Sequence, residues 1–533
     1  ASWEYIFGGA RNFIKASVSF VGYGVLFYFA ICGIFILFRK VKFVKSDTVV
    51  RSWFTDNRKS LFIVAGLILL MWLPYLIVSF PGLTNYDFFD MLNMFYGRDT
   101  TSLRVVVPID PSVTLNNNNP VCQTLMAVGF IKLGNLLGSP YIGLFLFVSI
   151  QAVLFALVLS HVIRYLARRN INKPIRIILL LMYGLIPLHS NFAFTTLKDT
   201  NFSFVTLLYL LLLIDLVLNP KDFVNNKFNL LKLVVLSLLM MFLRNNGLYI
   251  VALSAVIFLV AYRKHIKKLL APLMAPVIIF LLVTNVLYPA LKISPGSAAE
   301  AYSIPFQQVA RLVKEHGDEL TQEEKETFSG LLWYSVLAER YNPELSDPVK
   351  STYKLNHTDE QFKEFFDLWF KYLLKYPGLY VQATMSNCYG YFYPEAESWL
   401  VYNGIAPPGA DYGLTNIESL NTIRIELVQM SYVFRNIPVL GLFESIGFYV
   451  WGLFCVAAAL IRYRNKKYIM MMVPMFVLLL TAIAGPANTM MRYVYPIILS
   501  TPIFVIMAGY IITNKKEDTT TCLLYTSPSP RDS

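Results

Sequence analysis

A chain that runs for some twenty residues without a charge must bury that stretch in a large core or in hydrocarbon. This sequence does so again and again. Apolar runs lie at about 17–38, 60–80, 140–162, 175–190, 199–218, 229–243, 247–262, 269–289, 438–461, 468–485 and 494–513, eleven in all. With 56% hydrophobic and only 15% charged residues over 533 positions, the chain is far too apolar for a soluble protein of its length. The expected fold is all-α: a polytopic membrane protein of about eleven transmembrane helices.

The basic residues orient these runs. Net charge is +13, but much of the Lys and Arg falls in short connections: "RKVKFVK" (39–45), "RYLARRNINK" (164–173), "RKHIKK" (263–268), "RYRNKK" (462–467) and "NKKE" (514–517). Each follows an odd-numbered run. Cationic loops stay in the cytoplasm, so these five are expected inside and the remaining connections outside. No basic stripe with interleaved aromatics occurs elsewhere, and no nucleic-acid partner is expected; the lipid bilayer is.

This layout gives an N-terminal transmembrane module at 1–289 with a long external loop at 81–139, an extracytoplasmic insert at 290–437, and C-terminal transmembrane helices at 438–513. The insert reads as mainly helical. "TQEE" (321–324) and "TDEQ" (358–361) are capping boxes, and "KYPGLY" (375–380) ends one helix and starts another. Its Trp333, Trp369 and Tyr372 suit either a small core or a face laid on the membrane. The terminal "TCLLYTSPSPRDS" (521–533) reads as a translated sequencing adaptor, expected to lie outside the fold. It carries Cys522; Cys32 and Cys455 lie in apolar runs, and the remaining Cys122 and Cys388 make no disulfide framework.

Asn85 suits the N-cap of a short interfacial helix over 86–96 closed by Gly97. Phe88, Leu92 and Phe95 then form its apolar stripe, while Asp87 and Asp90 share another face. A second such helix is expected from "NNP", with Asn119 as cap and Pro120 at the first position, to Gly138. Short external loops each hold a cation beside a run: Lys198 in "TTLKDT", Arg244 in "FLRNNG" and Arg492 in "NTMMRY". Positive charge outside runs against the usual bias and points to an anionic partner. Plainer readings stay open: Asp87 helps to cap its helix, the cations meet lipid headgroups, or Lys198 pairs with Asp199. Taken together these residues outline a surface site in which a carboxylate accepts a proton from a hydroxyl while cations hold a phosphate leaving group. That chemistry suits a lipid-phosphate sugar donor.

"FPGLTNYDFFDML", "NNNNPVCQTLM", "TTLKDTNF" and "GPANTMMRYVYPII" resemble the motif regions of bacterial GT-C glycosyltransferase-like membrane proteins. "IPFQQVARLVKEHGDELTQEEKE" with "YNPELSDPVKSTYK" is similar to an uncharacterised bacterial family known only as a domain of unknown function. The resemblance implies a multi-pass enzyme of the bacterial plasma membrane. It would move a sugar from a polyprenyl-phosphate carrier to an extracytoplasmic acceptor such as a cell-envelope glycan or lipid. No cofactor is expected, and a divalent metal stays open. The implied site has Asp87 and Asp90 as catalytic carboxylates, Lys198, Arg244 and Arg492 on the lipid phosphate, and Tyr86 and Asn119 at other substrate contacts. Two departures matter: several GT-C families have His-Pro where Asn119-Pro120 stands, and Asp-Glu where Tyr86-Asp87 stands. The base is therefore Asp87 with Asp90 as helper, or neither, in which case Glu395 and Glu397 of the insert come next. The alternative class is a transporter or lipid flippase, which calls for ionisable groups or broken helices near the midplane. The runs are nearly charge-free, and the carboxylates Asp215 and Glu444 within them both fall toward an end. A receptor or scaffold built on the insert would leave the external cations without a joint purpose.

Overall fold

The computed structural model describes residues 9–44, 57–98, 100, 112–396, 402–485 and 487–524. All eleven apolar runs are helical over most of their length. The first half of the chain builds α1 (Ala10–Lys40), α2 (Arg58–Val78), α3 (Tyr86–Phe95), α4 (Val121–Leu136), α5 (Pro140–Ala167), α6 (Lys173–Leu185), α7 (Pro187–Ala193), α8 (Lys198–Leu218), α9 (Lys227–Leu243), α10 (Gly247–Ala261) and α11 (Ile266–Leu282). The main later helices are α12 (Ser303–His316), α13 (Gln322–Leu331), α14 (Asp359–Lys375), α15 (Pro377–Ser386), α16 (Glu418–Asn436), α17 (Ile446–Arg462), α18 (Val473–Ile483) and α19 (Met491–Leu524). Among the described residues the one sheet is a parallel pair of two-residue strands, β1 (Leu115–Asn116) and β2 (Ile293–Ser294).

Among the described residues seven helical stretches are long and apolar enough to cross a membrane, α11 counting within Arg263–Ala290 and α18 within Lys466–Ile483, or eight if α6 and α7, bent by 58° at their junction, form one span. The number falls below the expected eleven because α9, α10 and α17 have only 17, 15 and 17 residues. At 1.5 Å per residue these reach about 23 to 26 Å, short of a hydrocarbon layer of about 30 Å.

The centre of the bundle is α8 and α19, with 83% and 78% of their most apolar windows buried. At the other extreme the apolar window of α1 is wholly unburied, and Phe20, Val21, Leu26 and Tyr28 all point outward. Apolar surface of that extent needs hydrocarbon around it. These helices suit a lipid bilayer.

The two ends of the bundle differ. At one, the basic connections meet: Val44 bridges Ile171, and Asn172 N–H donates to the Phe43 carbonyl at 2.9 Å. There Asp215 at the end of α8 ion-pairs with Arg169 and accepts from the Tyr165 hydroxyl at 2.9 Å. At the opposite end α2 and α9 finish, α8 and α19 begin, and the insert docks. The insert has its own core, built on Phe306, Leu312, Phe328, Leu331, Phe365 and Tyr380. Both capping boxes form, on Thr321–Glu324 and Thr358–Gln361, and Pro377 separates α14 from α15. Tyr372 is buried in this core, Trp369 donates to Gln308 Oε1 at 2.9 Å, and Trp333 is half exposed. Asn488 N–H donates to the Glu344 carbonyl at 2.8 Å, and Asn387 Nδ2 to the Gly485 carbonyl at 2.9 Å, tying the insert to the loop before α19. Beyond that core the chain rejoins the bundle: Cys388 and Tyr391 enter the main core, and Ile405 and Leu414 pack with α3, α4 and α5.

Candidate anion site at the helix ends

Asp87 is placed by its neighbours. Asn85 caps α3 as expected, its Oδ1 accepting from Phe88 N–H at 3.1 Å, and Gly97 follows with φ +66°, a left-handed conformation that favours glycine. Phe88, Phe89 and Leu92 are buried against Val128, Ile131 and Phe147, so the carboxylate face is turned away from the packing. Just upstream, Leu83 N–H donates to the Phe194 carbonyl and Thr196 N–H to the Leu83 carbonyl, both at 2.9 Å. These bonds lay the chain before α3 against the turn that leads into Lys198. Gln151, buried on α5, fixes that turn by donating to the carbonyls of Ala193 at 3.0 Å and Thr195 at 2.8 Å. From the far side Ala406 N–H donates to Thr84 Oγ1 at 2.8 Å.

On this frame the polar side chains form one chain of contacts. Asp87 Oδ2 accepts from Arg492 Nη1 at 2.9 Å and lies 3.4 Å from Lys198 Nζ. Lys198 Nζ also donates to Asn119 Oδ1 at 2.6 Å, and Asn119 Nδ2 donates to Asp90 Oδ2 at 3.0 Å. Arg244 ion-pairs with the fully buried Asp199. Its guanidinium also stands 4.8 Å from the centre of the Tyr493 ring, and that of Arg492 stands 5.4 Å from the same centre. Six of the seven residues singled out in the sequence thus lie together: Asp87, Asp90, Asn119, Lys198, Arg244 and Arg492. Tyr86 does not join them and is 65% exposed. Glu395 accepts from its neighbour Tyr393 at 2.8 Å, and Glu397 lies outside the described residues.

One local expectation is corrected and two of the plainer readings are set aside. Asn119 does not cap α4, and Pro120 is the N-cap rather than the first helical residue: the Asn119 amide is taken by Asp90 and Lys198, and Asn117 Oδ1 accepts from Val121 N–H at 3.3 Å. Lys198 does not pair with Asp199, since neighbours on a helix point about 100° apart; Asp199 faces Arg244 inside the bundle. The capping of α3 is done by Asn85, which leaves the Asp87 carboxylate for the cations. Asp199 and Tyr493 were missed because their partners come from loops distant in sequence. Asn117 was missed because "NNNN" reads as low complexity.

The electrostatics are unusual for helix starts. Lys198 and Arg492 occupy the first turns of α8 and α19, where exposed N–H groups and the helix dipole already make the potential positive. Two cations on two helix N-termini call for an anion, and Asp87 supplies one. Burial pushes the Asp87 carboxyl up. The charges of Lys198 and Arg492 and their hydrogen bonds outweigh that and hold it well below the usual carboxylate range. The site is not sealed: the Asp87 side chain is 31% exposed.

Fold and site together define a multi-helix membrane-type protein with a cluster of three cations and three carboxylates at one end of its bundle. A family model described as "Family of unknown function (DUF6020)" matches residues 9–522, and the chain belongs to that family. No curated protein and no solved structure matches it.

Proposed function

We propose that this protein is an integral-membrane glycosyltransferase of GT-C type. It takes a sugar from a polyprenyl-phosphate carrier at the outer face of the bacterial plasma membrane and passes it to an extracytoplasmic acceptor. The observation that carries the reading is the convergence of Asp87 with Lys198 and Arg492 on two central helix starts. The acceptor oxygen forms its bond to the anomeric carbon and gives its proton to the carboxylate. The bond from that carbon to the phosphate oxygen breaks, and the phosphate leaves with the electron pair. Lys198, Arg492 and the positive helix ends stabilise the charge that it gains. The site opens where the apolar helices end, the depth at which a lipid-borne head group stands. In this reading the insert is extracytoplasmic.

The test is transfer of sugar from a synthetic polyprenyl-phosphate sugar by the purified protein. Asp87→Asn keeps the shape and removes the basic charge, so transfer falls by about 10²-fold or more in a protein that still folds, with a lower midpoint of thermal unfolding because Lys198 and Arg492 lose their counter-charge. Wild-type turnover in that variant excludes Asp87 as base. A transporter reading has one observation of its own, the 58° break between α6 and α7, since broken helices line transport sites. Uptake of the lipid-linked sugar into proteoliposomes without transfer would favour it.

A further inference from the structure

A base is most useful when its pKa lies near the working pH, yet the cations that surround Asp87 make it a weak one. We infer that Asp87 is a resident counter-anion, which a phosphoryl group displaces from Lys198 and Arg492 on binding, and that the displaced carboxylate is the form that accepts a proton. The inference rests on the transferase reading above for its second half only; the exchange of anions stands on the geometry of the cluster.

The cations offer more than Asp87 uses. Both of its contacts fall on one oxygen, Oδ2, with Arg492 Nη1 at 2.9 Å and Lys198 Nζ at 3.4 Å. Among the described residues Arg492 Nε is buried with no hydrogen-bond partner, an orphan donor of the kind folded proteins rarely leave. A phosphoryl group brings several oxygens, so one can take the place of Asp87 on Nη1 while a second meets Lys198, and Nε, which forms a fork with Nη2 on the other edge of the guanidinium, offers a further donor. The exchange asks little of the backbone. Asn85 and the Leu83 hydrogen bonds hold α3 in place, and Asp87 is on its first turn with an exposed path. Rotation about its side-chain bonds is enough. Asp90 stays behind on Asn119. Once turned away, Asp87 loses its two cations and gains a like-charged neighbour, both of which raise its basicity. No proton needs to move for the exchange itself.

The experiment is isothermal titration of the detergent-solubilised protein with two probes, inorganic phosphate and farnesyl phosphate, which separate a free anion from a lipid-borne one. If Asp87 competes with the ligand, Asp87→Asn binds both probes about tenfold or more tightly than wild type, the scale of one exchanged charge-assisted hydrogen bond. Asp87→Ser does the same, which guards against a misfolded Asn variant. Arg492→Gln loses affinity for both. Equal or weaker binding by the Asp87 variants overturns the exchange. Tight binding without sugar transfer overturns only the transferase reading. A cryo-EM map of wild type with bound farnesyl phosphate gives a check without mutation: Asp87 is turned off Arg492, and an intact contact beside the bound phosphate refutes the proposal.

Discussion

Asp87 is held by charge at the start of α3, between Lys198 and Arg492. A carboxylate held below its unfolded value, near 4, stabilises the fold at every pH above that value. The contribution is lost only as pH falls through its own depressed value. Between pH 5 and 8, then, the contacts with Lys198 and Arg492 keep their strength. In the free protein Asp87 stays ionised throughout, whereas with phosphate bound its pKa rises toward or above the usual carboxylate value. The expected outcome is a split pH profile: kcat/KM shows no Asp87 limb above about pH 4, while kcat falls on the acid side at a higher pH, since the two report free and bound enzyme. Identical acid limbs in both would show that the surroundings of Asp87 do not change on binding.

At the scale of elements, much of the site frame was legible and its long-range pairing was not. Asn85, three residues before a buried Phe88, is a local signal, and the cap formed as read. Asn119 ahead of Pro120 looked equally local, but a lysine from α8 and a carboxylate from α3 claimed its amide and left the capping to Asn117. Spacing cannot distinguish these two asparagines, because the partner that decides between them lies 79 residues away. Capping boxes were read correctly for the opposite reason: both partners sit within four residues. Gln151 carries the sharpest element-scale prediction. A polar side chain amid the apolar residues of α5 gave no hint of its acceptors, yet it holds the turn between α7 and α8 through buried carbonyls. Gln151→Leu leaves the Ala193 carbonyl without that donor, while Thr195 keeps its bond from Leu197 N–H, and is expected to cost about 1–3 kcal/mol, read as a lower midpoint of thermal unfolding in detergent. An unchanged midpoint would mean that the carbonyl finds another donor.

For the whole molecule, the apolar runs made the helices legible, whereas the number of crossings depended on helix ends that composition does not mark. Glu444, for example, lies inside an expected span, yet α17 begins only at Ile446. The contrast between the ends of the bundle yields the last prediction. The segments around Phe43, Arg169 and Ile171 come together at one end, and "RKHIKK" follows α10, which begins beside Arg244 at the other. Cationic connections of this kind remain in the cytoplasm. The insert is tied to the opposite end through Glu344 and Asn488, so the same rule predicts it outside together with Asp87. In a variant stripped of native cysteines, Arg340→Cys on the exposed surface of the insert is expected to react in intact cells with a membrane-impermeant maleimide. Lys264→Cys, exposed beside α10, should react only after permeabilisation. The reverse pattern would put the Asp87 cluster on the cytoplasmic side, where nucleotide-activated sugars are made, and a lipid-linked donor would then have no physical argument behind it.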